Sequence, residues 1–74
     1  MDINYEKQVG ANIRRIRIKN KLTQEQLSAK MQVKGCDITR SALAKIEVGQ
    51  RHIYADEIKA LKEILKISYD EILN

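Results

Sequence analysis

Apolar side chains recur along this chain at helical spacing. Val9, Ile13 and Ile16 stand at i, i+4 and i+7 and predict a first helix over residues 5–20, with residues 1–4 outside it. Leu27 and Met31, with Val33 as a further core position, place a second helix over 24–33. Leu43 and Ile46 mark a third over 40–48, and Ile58, Leu61, Ile64 and Leu65 a fourth over 55–65. A fifth, over 69–73, is so short that Tyr69, Ile72 and Leu73 should stay partly uncovered. Those three either close the core or meet a second subunit.

Polar punctuation agrees with these segments. Thr23 with Gln26, and Ser68 with Glu71, have the spacing of capping boxes, and Thr39 can cap the third helix. Leu22 with Leu27, Ile38 with Leu43 and Ile67 with Ile72 fit hydrophobic staples across the same starts. Between the second and third helices, Gly35 permits a chain reversal and Asp37 can bond the local backbone. Gly49 stands where a left-handed residue closes the third helix. Gly10, inside the first helix, costs up to about 1 kcal/mol relative to alanine, which close packing against another helix would explain.

The third helix has two unlike faces. Stepping about 100° per residue gathers Ala42, Leu43, Ile46 and Glu47 on one arc and Arg40, Ser41, Ala44, Lys45 and Val48 on the other. The first is a core stripe with one carboxylate at its rim. The second carries two cations, a hydroxyl and small apolar groups, and no acid. Such a face suits close approach to an anionic surface, and the major groove of DNA admits a helix. A solvated amphipathic helix would show the same pattern.

Composition narrows the choice. Seventy-four residues with no Pro, Phe or Trp and 3 Gly make one all-α domain, with no internal linker or repeat. Residues 1–53 hold 11 Lys and Arg against 5 Asp and Glu, whereas residues 54–74 hold 3 against 5. A basic front with an acidic back fits a nucleic-acid binder better than a membrane-surface helix, because no bulky aromatic or Leu-rich face backs the cations. Arg14, Arg15, Arg17, Lys19 and Lys21 form the densest cluster, although a plain solvated face also looks like this. Arg17 adjoins the stripe residues Ile13 and Ile16 and is placed to reach inward.

One Cys and one His cannot supply a disulfide or a structural zinc site. Cys36 reads as an exposed, unpaired thiol without a role, and His52 as a loop histidine without one. No cluster of Asp, Glu, His, Ser or Cys has catalytic spacing, so neither an enzyme nor a cofactor or metal is expected. The opening residues MDINYEKQVG lack an apolar signal core and no run reaches membrane-spanning length, so a cytoplasmic protein with no membrane partner is expected.

Taken together, residues 10–21 (GANIRRIRIKNK), 22–31 (LTQEQLSAKM), 39–49 (TRSALAKIEVG) and 65–73 (LKISYDEIL) resemble the phage-repressor and Cro type of helix-turn-helix DNA-binding domain. The resemblance covers nearly the whole chain; the LTQEQL start and the IE-x-G end are specific in combination and weak singly. It implies a five-helix bundle whose third helix enters the major groove. It implies that Gln24 meets a backbone phosphate and that Thr39, Arg40, Ser41, Ala44 and Lys45 face DNA, with Arg40, Ser41 and Lys45 at base edges. Arg51 and its loop would meet phosphates, and Arg17 with Glu47 matches a salt bridge between helices 1 and 3. The chain also departs from the family pattern. Gln32 replaces a glycine, and residues 34–38 lengthen the turn before Thr39, which would shift the third helix or bring Lys34 and Cys36 near the DNA backbone. Val48 replaces a common polar residue, and Lys66 replaces a glycine that often ends the fourth helix.

The expected function is a sequence-specific transcriptional regulator, a repressor reading a palindromic operator as a homodimer in which Tyr69, Ile72 and Leu73 supply the subunit contact. Double-stranded DNA is the expected partner, with no small-molecule effector. The competing reading is an antitoxin or adaptor-type interaction module in which DNA binding is secondary.

Overall fold

Residues 3–74 are described by a computed structural model, in which five helices and no strand occur among the described residues. They are α1 (Ile3–Lys19), α2 (Gln24–Val33), α3 (Arg40–Glu47), α4 (Ala55–Leu65) and α5 (Tyr69–Leu73). The all-α expectation therefore holds. The first helix begins earlier than its apolar stripe suggests: Ile3 and Asn4 are helical, while residues 1 and 2 lie outside the described part.

Each start has a local cause. Thr23 Oγ1 accepts from Gln26 N at 3.0 Å while Gln26 Oε1 accepts from Thr23 N at 2.9 Å. Thr39 Oγ1 accepts from Ala42 N at 3.1 Å, and Ser68 Oγ from Glu71 N at 3.2 Å. Each such cap is worth about 1 kcal/mol. At α4 the preceding residue, Tyr54, has no side chain able to cap; there Glu57 Oε1 accepts the Tyr54 N–H at 2.9 Å instead.

All four connections open with the same device, a left-handed residue whose successor's N–H reaches five residues back. Leu22 N donates to Arg17 O, Cys36 N to Met31 O, Gln50 N to Lys45 O and Ile67 N to Lys62 O, at 2.8–3.2 Å. The residues that turn left-handed are Lys21, Gly35, Gly49 and Lys66, with φ of 59°, 88°, 77° and 55°. Glycine adopts this conformation freely; lysine carries a steric cost there of roughly 1 kcal/mol. Lys66, standing where relatives often have glycine, carries this cost, and a second such lysine closes α1.

Helix α1 is the hub. One side packs on α3 and the opposite side on α5, while α2 and α4 complete the bundle. Gly10 lies at the α1–α3 crossing, where a Cβ would come within 2.2 Å of Ile46 O and 2.9 Å of Glu47 O. Only glycine lets the two backbones meet so closely. On the other side, buried Asn12 donates from Nδ2 to Ile72 O at 2.9 Å and ties α5 down.

Ile13, Leu27, Met31, Leu43, Leu61 and Ile72 are wholly buried, so Ile72 belongs to the core and cannot serve a subunit contact. A short helix does not imply poor cover when it lies lengthwise on a longer one. Val33, expected in the core, is 88% exposed. It stands about 240° around α2 from Leu27, beyond the stripe that Leu27 and Met31 define.

The lengthened turn at residues 34–38 folds onto α4. Lys34 Nζ lies 3.5 Å from Glu63 Oε2, and the Cys36 thiol donates to Asp56 O at 3.8 Å. Cys36 is buried, which corrects its reading as an exposed thiol; burial and the nearby Asp56 and Glu57 push its pKa up from 9.0. Ser28 Oγ and Gln32 Nε2 both donate to Ile38 O, at 2.8 and 3.2 Å, and seat Ile38 in the core. The additional residues are therefore absorbed on the α4 side, and neither Lys34 nor Cys36 joins the outer face of α3.

Candidate nucleic-acid interface

Helix α3 turns Leu43, Ile46 and Glu47 inward and leaves Arg40, Ser41, Lys45 and Val48 exposed, with Ala44 half-buried among them. The side chains of Arg40, Ser41 and Lys45 make no hydrogen bond or ion pair among the described residues. Their donors are free for an external acceptor. Thr39 sits at the head of this face, with its hydroxyl engaged on the helix start.

Behind the face lies a buried ionic lock. Arg17 of α1 grips Glu47 of α3 with two parallel bonds, Nε to Oε2 at 2.7 Å and Nη2 to Oε1 at 3.1 Å. Its remaining nitrogen, Nη1, donates to Leu22 O at 2.8 Å, so one guanidinium joins α1, α3 and the entry to α2. Gln24, the first residue of α2, donates from Nε2 to Glu47 Oε1 at 3.0 Å. A planar guanidinium matches a carboxylate in this bidentate way, whereas a lysine ammonium does not. A second amide hydrogen on Gln24 Nε2 stays available, beside the unpaired backbone N–H groups of the α2 start. Arg17, Leu22, Thr23, Gln24, Glu25 and Arg40 together line a groove of about 510 Å³ that joins the α2 start to the α3 face.

Arg51 has a different setting from the one the sequence suggests. Its Nη1 and Nη2 each lie 3.1 Å from a Glu57 oxygen, and Nη1 also donates to His52 O at 2.8 Å. The bond to Glu57 pushes its pKa up, so the group stays charged but its charge is balanced from within. A phosphate near this loop would meet backbone N–H groups ahead of a free cation. The signal for Glu57 was its place three residues into α4, half of a capping box whose Ser or Thr half is missing.

His52, assigned no role from sequence, lies with Nδ1 2.7 Å from Glu6 Oε1 and donates to it in the tautomer that carries the Nδ1 proton. That contact spans 46 residues and has no sequence signature. Tyr69 is exposed and Leu73 half-buried on α5, across α1 from the α3 face. No cluster of His, Cys, Asp and Glu able to hold a metal occurs among the described residues, and no described helix is long and apolar enough to cross a membrane.

Comparison with known proteins agrees with this geometry. No curated protein matches the sequence. A solved structure, the crystal structure of the DNA-binding domain of BldD, superposes with a TM-score of 0.83 over 100% of both chains at 24% identity, a likeness of fold. A family model described as helix-turn-helix matches residues 13–72, which takes in the paired helices α2 and α3 and their supports. The chain therefore belongs to the helix-turn-helix family of DNA-binding regulators.

Proposed function

We propose that this protein is a sequence-specific transcriptional repressor that binds a palindromic operator as a homodimer, with α3 in the major groove. The observation that carries the reading is the outer face of α3, where Arg40, Ser41 and Lys45 are exposed and uncommitted while the helix's one acid, Glu47, is turned inward. Arg40 would read guanine through its O6 and N7, a contact worth about 1–3 kcal/mol of discrimination. Lys45 and Ser41 would contact neighbouring base edges, and Ala44 allows close approach. Gln24, Thr39 and the loop after α3 would hold phosphates and set the register without carrying sequence information. A two-fold pair, meeting through Tyr69 and Leu73, would read half-sites about 34 Å apart.

Site selection from random duplexes, run with wild type and Arg40→Ala at one salt concentration, tests this. A palindromic site that loses preference at one base position per half-site in the variant is the expected result. Salt-sensitive binding without sequence preference would overturn the proposal.

A further inference from the structure

The loop after α3 is held against the first turns of α1 by two separate contacts. One is steric: a Cβ on Gly49 would lie 2.5 Å from Lys7 Cγ and 2.9 Å from Lys7 Cα, so the loop backbone rests directly on α1. The other is polar: His52 Nδ1 meets Glu6 Oε1 at 2.7 Å, with the Glu6 side chain 12% exposed and the imidazole 48% exposed. Charged and titratable groups lie on the elements beside the loop. Glu6 and Lys7 come from α1, and Arg51 and Tyr54 from the loop, the Tyr54 ring edge-on at 5.0 Å. From α4, Glu57 stands behind Arg51, and from α3 the Lys45 carbonyl accepts the Gln50 N–H of the loop. Arg51 is neutralised by Glu57, which leaves Glu6 as the carboxylate that answers His52.

The same loop presents the backbone N–H groups of Arg51 and His52, which take no acceptor among the described residues. Donors of this kind hold phosphate more tightly when the loop is fixed in advance. We infer that Glu6 and His52 are a positioning pair that orients this loop toward the DNA backbone and so couples DNA affinity to the protonation of His52. The inference rests on the proposed reading of the loop as DNA-facing. Neutral imidazole can still bond Glu6 through one tautomer, but the imidazolium makes a charge-assisted bond that holds the loop more firmly. Affinity should therefore be higher at acidic than at alkaline pH. His52 is the single histidine of the chain.

The test is fluorescence anisotropy with the duplex selected by wild type, at pH 6 and pH 8 and one ionic strength, for wild type, Glu6→Gln and His52→Gln. Wild type is expected to bind about 3- to 10-fold more tightly at pH 6, the size of one hydrogen bond gaining a charge. Glu6→Gln should bind more weakly and show no pH effect. His52→Gln, which keeps a neutral donor for Glu6, should match wild type at pH 8 and show no gain at pH 6. Thermal midpoints should stay within about 3 °C of wild type, as for a pair whose imidazole reaches solvent. If Glu6→Gln keeps the full pH effect, His52 meets phosphate by itself and the positioning role is overturned. A pH-independent wild type, or a large fall in midpoint in either variant, overturns it too. Failure of wild type to select any duplex would overturn the functional reading along with it.

Discussion

Two arginine–glutamate pairs flank the recognition face, and they differ in what they do. Arg17–Glu47 joins residues 30 apart, is buried (10% and 1% side-chain exposure), and locks α1 to α3. Arg51–Glu57 joins residues 6 apart, is more open (29% and 10%), and fastens a loop to the start of the next helix. Both are bidentate. The first is nearly closed off from water, so a charge that loses its partner there is poorly re-solvated; the second is more open. Buried pairs contribute little net stability relative to a well-packed apolar pair, yet breaking one is costly, whereas exposed pairs matter little either way. The lesson is that geometry alike in form gives unlike energetics, and burial decides which.

The largest expected effect follows from stranding the buried charge. Glu47→Ala should lower unfolding free energy by about 3–5 kcal/mol in urea titration, and should also release Gln24. A loss below about 1 kcal/mol would show that Arg17 re-solvates easily and would erase the contrast between the pairs. The double change Arg17→Met with Glu47→Leu should regain most of that stability while leaving Gln24 without its anchor. Next comes Arg40, an arginine with no partner among the described residues. Arg40→Ala should move stability by less than about 0.5 kcal/mol while removing about 1–3 kcal/mol of base discrimination in competition binding. Should its unfolding midpoint drop instead, Arg40 would belong with the structural arginines.

Glu57→Ala should cost about 1–2 kcal/mol, through the lost helix-start bond and the opened pair. Part of that difference should close at high salt, which does not hold for Glu47→Ala. A scale for these numbers comes from Lys66→Gly, away from both pairs: relieving the left-handed lysine should add about 1 kcal/mol of stability. No gain there would mean that packing of the lysine stem offsets the backbone cost.

Much of the bundle was legible because its causes are local. Thr23, Thr39 and Ser68 announce helix starts through bonds that span three residues. Gly35 and Gly49 announce chain reversals. Lys66 makes the same turn at a position where relatives often have glycine, whereas Lys21 makes it unannounced, a strain that composition does not show. Cys36 was misread because burial of a turn residue depends on where the turn folds, and here it folds onto α4. Val33 was misplaced by extending an apolar run past its helical face, and Ile72 by judging cover from helix length.

The recognition face divides in the same way. Periodicity alone determined that Arg40, Ser41 and Lys45 share one side of α3, with Leu43 and Ile46 on the other, because 3.6 residues per turn is a property of the backbone. The tertiary structure decided which charges are already spent. Arg17, Arg40 and Arg51 are the same residue in the same basic stretch, and only the packing of α1 on α3 and of the loop on α4 brings Glu47 to the first and Glu57 to the last. Ionic bonds form between groups within a few ångströms of one another, and for helices far apart in the chain that distance is fixed by the fold.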